Sequence, residues 1–293
     1  MTTNEPTHEP VLLKKVISAL DPRPGEFVVD GTVDGGGHAE ALLAAVGKEG
    51  KLLGIDLDPD MLAISRERLK GTILAQGNYA DLPEILSREK LPKVDCLLLD
   101  LGFSSAQLTL PRGFSFMRDD PLIMTYSPDE APLKDLLRNL SEEELADIIY
   151  NYGGERMSRR VARAIYEHER QRGIETTGEL RGLIEKTLPK NYEHGRISRA
   201  TRTFQALRIY ANHELENLGR VLEVLPQVMN RGGRVGIVTF HSLEDRIVKQ
   251  KFRALEKEGL AVQNIKKPIT ADKEEIKKNP RSRSAKFRII TFK

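Results

Sequence analysis

The chain is short of several residue types, and each shortage excludes something. One cysteine, Cys96, among 293 residues rules out an internal disulfide and leaves a reducing compartment as the simple expectation. There is no tryptophan, and aromatic residues make up 5% of the chain, too few for an extended platform that stacks single-stranded bases. No apolar run approaches the roughly 20 residues that span a bilayer. The segment 1–10 lacks the basic-then-apolar layout of a signal peptide, so a cytosolic protein is expected. Neither sign of charge dominates: 46 basic and 43 acidic residues give a net +3, so any affinity for nucleic acid has to come from local clustering. Internal repeats are absent from the sequence.

What is present is a well-cored chain, 39% hydrophobic and 30% charged, long enough for one large domain or two unequal ones. Apolar residues at Val11, Leu12, Val16, Ile17 and Leu20 are spaced for a helix, ended by the Asp21-Pro-Arg-Pro-Gly25 breaker. Strands are expected at Phe27–Asp30, Lys51–Asp56, Thr72–Ala75 and Val94–Asp100, with helices at Ala39–Val46 and from Pro59, capped by Asp58, to about Leu69. The fourth strand is apolar on both faces, as a central parallel strand is. From Pro111 to Arg202 no strand is expected. Ser141 with Glu144 and Thr176 with Glu179 read as capping boxes, a helix breaks at Gly153-Gly154, and another runs from Glu155 to Arg172. A long helix then covers Thr203 to Leu225. Gly232-Gly233 reads as a turn before a strand at Arg234–Phe240. Ser242 with Asp245 reads as a capping box for a helix to about Glu258, and closing strands fall at Ala261–Ile265 and Phe287–Phe292. Lys266–Lys286 reads as an extended loop.

The most informative stretch is Val28-Val29-Asp30-Gly31-Thr32-Val33-Asp34-Gly35-Gly36-Gly37-His38, followed by Leu52-Leu53-Gly54-Ile55-Asp56. A strand ends in an acid and a glycine cluster, a helix follows, and a second strand ends in another acid. This order describes a nucleotide-type cofactor site at the first crossover of a Rossmann-like sheet. Glycines let backbone N–H groups approach the ligand, and Asp56 is placed to grip two ribose hydroxyls. The G-x-G-x-x-G spacing of dinucleotide sites is missing. S-adenosylmethionine suits the pattern, with its methionine part over Gly35–Gly37, Asn78 and Tyr79 flanking adenine, and Asp100 facing the reaction centre. The pattern alone leaves a nicotinamide oxidoreductase open.

Several residues have a plainer reading. Asp56 and Asp100 also suit helix caps, His38 suits a helix start that meets the cofactor through its backbone, and Cys96 suits a small core residue. His241, Ser242 and Asp245 are adjacent in sequence, and capping explains two of them without a hydrolase triad. Arg156, Arg159, Arg160 and Arg163 share one helix face, which serves equally as a solvated surface or as a phosphate contact.

Seven segments resemble the ribosomal RNA small-subunit methyltransferase H family, also called MraW. They are His8-Glu-Pro-Val-Leu-Leu13, Asp30-Gly-Thr with Gly35-Gly-Gly-His38, Leu99-Asp-Leu-Gly-Phe-Ser-Ser-Ala-Gln-Leu108, Arg112-Gly-Phe-Ser-Phe116, Ala200-Thr-Arg-Thr-Phe-Gln-Ala206, Phe240-His-Ser-Leu-Glu-Asp-Arg246 and Asn279-Pro-Arg-Ser-Arg-Ser-Ala-Lys286. The resemblance covers nearly the whole chain. It implies transfer of a methyl group from S-adenosylmethionine to the exocyclic N4 of one cytosine in the decoding region of small-subunit (16S) rRNA, within a partly or fully assembled 30S subunit. It implies an α/β fold, a Rossmann-like methyltransferase domain formed by residues 1–110 and 203–293, with an all-helical substrate-recognition domain inserted at 111–202. The family's cofactor positions fall on Gly36, Gly37, His38, Asp56, Tyr79, Asp100 and Gln107, with Gly35 in the same loop. No metal is implied. A noncatalytic, cofactor-binding ribosome-assembly factor is the alternative, supported by departures from the family pattern: Asp34 in place of glycine, and Ile123 and Thr125 in place of Asp and Arg. Tyr79 stands for the family's Phe and keeps an aromatic face. Gly154 stands for a family Glu and is expected to loosen the start of the next helix.

Cytosine N4 is a poor nucleophile because its lone pair is delocalised into the ring. Catalysis requires the amine in line with the methyl group, an acceptor for an N4–H, and a surface for the unstacked base. Asp100 is the expected acceptor, with Phe103 or Phe114 as the stacking surface. Arg156, Arg160, Arg163 and Arg202 are expected on the RNA, with Arg199, Arg208, Arg281, Arg283 and Lys286 adding positive charge.

Overall fold

A computed structural model describes residues 10–192 and 198–293; the start of the His8–Leu13 segment therefore lies outside the described residues. The chain divides into two compact units, Met1–Ser104 with Leu215–Lys293, and Ser105–Glu214.

In the first unit the order is α1 (Leu13–Leu20), β1 (Phe27–Asp30), α2 (Gly37–Val46), β2 (Lys51–Asp56), α3 (Pro59–Arg68), β3 (Ile73–Gln76), α4 (Leu82–Arg88) and β4 (Val94–Asp100). Asp58 caps α3 by accepting from the Asp60 N–H, with Pro59 opening the helix, as its sequence anticipates. The second unit is helical: α5 (Ser105–Thr109), α6 (Leu133–Asn139), α7 (Glu142–Gly153), α8 (Ser158–Arg172), α9 (Thr177–Thr187) and α10 (Thr201–Ala211). Its β structure among the described residues is one isolated bridge, Pro121 to Thr176. The chain then runs through α11 (Glu214–Val228), β5 (Met229–Thr239), α12 (Ser242–Lys257), β6 (Ala261–Val262), β7 (Ile269–Thr270), α13 (Lys273–Lys278) and β8 (Lys286–Phe292).

The eight strands form one sheet in the order β3-β2-β1-β4-β5-β8-β6, with β7 also pairing β8. Pairing is parallel from β3 through β5, and β8 runs antiparallel to β5, β6 and β7. Alternate residues face opposite layers. Val29, Leu97, Leu99 and Ile237 join one core with α4, α11 and α12. Val28, Cys96, Leu98 and Val238 join the other with α1, α2 and Leu62 of α3. Helices on both faces explain why the strands read as continuous apolar runs. Strand order reverses between β1 and β4, so the loops leaving their carboxyl ends part and open a crevice there, the place where ligands bind in open α/β sheets.

The helical unit has its own core, in which Leu145 and Ile149 of α7, Val161 and Ile165 of α8, Leu180 and Ile184 of α9, and Phe204 and Leu207 of α10 meet. Both expected capping boxes are present, Ser141 with Glu144 and Thr176 with Glu179. Gly154 ends α7 in the left-handed region at φ 63°, where glycine carries no Cβ penalty. The next helix, α8, begins at Ser158 rather than at the expected Glu155, with no side-chain cap at Met157.

Four expectations are corrected. The long helix over 203–225 is two helices, broken at Asn212-His213; the Asn212 amide donates to the Met124 and Arg208 carbonyls and its Oδ1 accepts from the Tyr126 N–H, so a side chain with tertiary partners ends α10. Gly232-Gly233 lies inside β5, where the pairing with β4 shifts register between Val94 and Cys96; the glycines form an irregularity in a strand, not a turn before it. The cap of α12 is His241, which accepts from the Glu244 N–H, while Glu244 accepts from the His241 N–H, one residue ahead of the expected Ser242 and Asp245. Residues 266–286 hold β7, α13 and a 3-10 turn at Pro280–Ser284 instead of one extended loop.

Candidate functional site

Four acids gather at the carboxyl ends of β1, β2 and β4. Asp30 is 1% exposed and Asp56 is 9% exposed. Asp34 follows in the glycine loop and Asp100 ends β4. Backbone hydrogen bonds hold the ends in place: Gly31 donates to the Leu98 carbonyl, Val33 to the Ile55 carbonyl, and Asp100 N–H to Thr32 Oγ1 at 2.7 Å.

The loop makes room for a ligand by backbone means. Gly36 sits at φ 81°, and a Cβ on Gly37 would collide with Pro10 Cγ. Gly36 is also the N-cap of α2 and supplies no side-chain cap, so the first-turn N–H groups of that helix form an electropositive end suited to a carboxylate. Asp34 adopts φ 52°, a left-handed conformation that favours glycine; its Oδ1 is buried with no hydrogen-bond partner, and so is Asp30 Oδ2. A buried carboxylate oxygen without a donor is costly. Two such atoms in one crevice are what a ligand carrying positive charge would satisfy.

Asp56 has both oxygens oriented: Oδ2 accepts from the Asp34 N–H at 2.8 Å and Oδ1 from the Asp58 N–H at 2.9 Å. Each oxygen retains a lone pair for a hydroxyl. Tyr79 starts a 3-10 turn after β3, and its Cβ lies 3.2 Å from where a Cβ on Gly31 would stand, which puts its backbone beside the glycine loop. Asp100 Oδ1 accepts from the Gly102 N–H at 3.0 Å, and a Cβ on Gly102 would meet the Phe240 ring at 2.7 Å. Glycine there lets the chain turn tightly toward the partly buried Phe103.

The acids raise one another. Burial pushes the Asp30 carboxyl up to about 7, and the charges of Asp100 and Asp56 add to it against the Thr32 N–H. Burial likewise brings Asp56 to about 6, against the Asp58 and Asp34 N–H groups. Asp34 is raised well above the carboxylate range by burial and then by Asp56, Asp100, Asp30 and Asp58. Asp100 is raised by burial, with His38 and the Gly102 N–H opposing. Burial also drives the Cys96 thiol up to about 12, which makes it a core residue and not a nucleophile.

Gly35, Gly36, Gly37, His38, Asp56, Tyr79, Asp100 and Phe103 thus belong to one unit. Gln107, Phe114, Arg156, Arg160, Arg163 and Arg202 belong to the helical unit. Gln107 is buried on α5. Phe114 stacks on Tyr126, centroids 5.0 Å apart and planes 16° apart, and is 8% exposed, so it offers a base little surface. Arg156 and Arg160 are exposed. Arg163 is exposed but pairs with Glu167 at 2.8 Å, and Arg202 donates to the Gly154 carbonyl at 2.9 Å, tying α10 to the end of α7. Thr32 was overlooked in the sequence, although its place in Asp30-Gly-Thr marks it. His38, expected to act through its backbone, also has a buried side chain directed at Asp100.

The model of the MraW methylase family matches residues 5–293. The chain is similar to Ribosomal RNA small subunit methyltransferase H of Coprothermobacter proteolyticus, 44% identical over 98% of this chain and 97% of that protein. The proteins of the same name from Syntrophus aciditrophicus and Dictyoglomus thermophilum are each 42% identical, over 96% and 97% of this chain and 96% of each relative.

Proposed function

The chain belongs to the MraW methylase family, and from that premise we propose that it transfers methyl groups from S-adenosylmethionine to small-subunit rRNA, at the exocyclic N4 of a cytosine in the decoding region. The observation that carries the reading is the acidic crevice, whose unsatisfied Asp34 Oδ1 and Asp30 Oδ2 suit a cofactor with two positive centres, an ammonium and a sulfonium. The bound cofactor supplies an electrophilic methyl group. Gly35, Gly36, Gly37 and the start of α2 hold its carboxylate, Asp56 its ribose hydroxyls and Tyr79 its adenine. Asp100 accepts a hydrogen bond from the substrate amine, which turns the nitrogen lone pair out of conjugation. Phe103 supports the unstacked base.

The helical unit supplies substrate recognition through Arg156 and Arg160, with Arg163 and Arg202 secondary because each is already engaged. A folded ribosomal surface in a partly or fully assembled 30S subunit suits a chain with 5% aromatic residues and no tryptophan better than free RNA does. No helix among the described residues is long and apolar enough to cross a membrane, and a ribosomal substrate supports a cytoplasmic location. The assembly-factor alternative is not favoured, since Asp56 and Asp100, which the chemistry needs, are present and oriented.

The test is incorporation of labelled methyl from S-adenosylmethionine into small subunits purified from cells lacking this activity. Transfer to the subunit RNA, abolished in Asp100→Ala, supports the reading. Cofactor binding without transfer to assembled, partly assembled or naked rRNA contradicts it.

A further inference from the structure

His38 is 6% exposed, and each of its ring nitrogens faces a polar oxygen. Nε2 lies 3.1 Å from the Val11 carbonyl oxygen, and Nδ1 lies 3.5 Å from Asp100 Oδ2. A carbonyl oxygen only accepts, so Nε2 carries a proton. In neutral imidazole the other nitrogen is then bare. A bare Nδ1 facing a bare carboxylate oxygen in a buried site sets lone pair against lone pair, and one proton between them removes the conflict. The same peptide unit continues the line. Its carbonyl is that of Val11 and its N–H is that of Leu12, and the Leu12 N–H donates to Glu275 Oε1 at 2.6 Å. Glu275 is itself held by Lys15 at 3.3 Å, which also bridges to Asp272 at 2.9 Å.

We propose that His38 and Asp100 share one proton, that the Val11–Leu12 peptide and Glu275 fix His38 in its Nε2–H form, and that this pair takes up the proton released by the methylated amine. The uptake rests on the methyltransferase reading above; the shared proton does not. For each methyl gained, the nitrogen lone pair forms the new N–C bond and the C–S electron pair stays with sulfur. The N–H pair returns to nitrogen as its proton goes to Asp100. The proton already shared moves to Nδ1, leaving an imidazolium that donates from both nitrogens. Positive charge is thereby kept in the crevice: it leaves the sulfonium and appears on His38. Glu275 favours this step because a carboxylate at the N–H end of a peptide makes its carbonyl oxygen a stronger acceptor. Groups facing the pair from other elements are Glu244 of α12, which raises Asp100, and Asp30 and Asp34, both of which sense the Asp100 charge. His38 is a positioning residue in this scheme, acting through Asp100.

Nitrogen-15 NMR of the full-length protein without cofactor reads the proton directly. The expected His38 signals are a protonated Nε2 and an Nδ1 shifted as a hydrogen-bond acceptor, with the titration midpoint moved to lower pH in Glu275→Gln. An Nδ1–H form, or a midpoint indifferent to Glu275→Gln, overturns the proposal. In single-turnover transfer, His38→Gln keeps a donor toward Val11 but has no basic nitrogen to take a proton from Asp100. Its rate is expected to fall about 100-fold, in the lower part of the range for acid–base assistance, and the acidic limb of the pH profile is expected to disappear. A pH profile retained in His38→Gln contradicts the proton uptake. If the wild type transfers no methyl group, the NMR result still decides the shared proton, and only the substrate reading fails.

Discussion

Asp34 donates its backbone N–H to Asp56 Oδ2 at 2.8 Å while its own Oδ1 is buried without a partner. One residue thus orients the carboxylate assigned to the ribose and places a second acid in the crevice, on a backbone at φ 52°. Asp34→Gly keeps the N–H and removes the strained Cβ and the buried oxygen. It is expected to stabilise the ligand-free protein by about 1 kcal/mol, read by chemical denaturation, and to weaken S-adenosylmethionine binding, read by calorimetry. A variant that binds the cofactor more tightly would show that Asp34 repels it.

Cofactor binding is expected to depend on pH. Asp30 at about 7 and Asp56 at about 6 lie above their unfolded values of roughly 4. The stability they contribute is complete below about pH 4 and lost as pH rises through 6 to 7, where the folded protein must ionise buried acids. A cofactor that brings its ammonium and sulfonium against these acids favours their ionised forms. S-adenosylmethionine should therefore bind more tightly at pH 8 than at pH 5.5 and release protons at pH 6, measured by calorimetry in buffers of different ionisation enthalpy. Proton uptake at pH 6 would contradict the acidic-crevice account.

The two glycines that end α7 are expected to differ. A Cβ at Gly153 would collide with the Arg202 carbonyl oxygen, whereas Gly154 has open space around it at φ 63°. Gly153→Ala forces α7 and α10 apart and should cost about 1–3 kcal/mol. Gly154→Ala meets only the conformational penalty, about 1 kcal/mol. Urea denaturation of both variants orders them, and a more damaging Gly154→Ala would refute the packing argument.

Removing exposed arginines should change the salt dependence of RNA binding. Each phosphate that loses its arginine lowers the slope of log K against log salt by about 0.7–0.9. The double variant Arg156→Ala with Arg160→Ala is expected to show this on small-subunit rRNA. Arg163→Ala, whose guanidinium already pairs with Glu167, should change the slope less. An unchanged slope in the double variant would remove α8 from the RNA interface.

Much of the fold was legible in the sequence because the signals were local. Acid-ended apolar runs marked β1, β2 and β4, and the capping boxes at Ser141 and Thr176 marked α7 and α9. The errors fell where tertiary partners decide. The side chain of Asn212 bonds to Met124 and Tyr126, 88 and 86 residues away, and so splits an otherwise continuous helical pattern. The cap of α12 was misplaced by one residue because histidine is an uncommon cap, while Ser242 is an ordinary one. The elements within 266–286 are too short for periodicity to reveal them. The Asp100–His38–Glu275 line needs Leu12 and Glu275 brought together from 263 residues apart, which no motif announces.

The most direct measurement is nucleoside mass spectrometry of small-subunit rRNA after reaction with the protein and isotopically labelled S-adenosylmethionine. The account predicts label on N4-methylcytidine, and none after Asp100→Ala. Label on a ring carbon, on a ribose hydroxyl or on another base would contradict it.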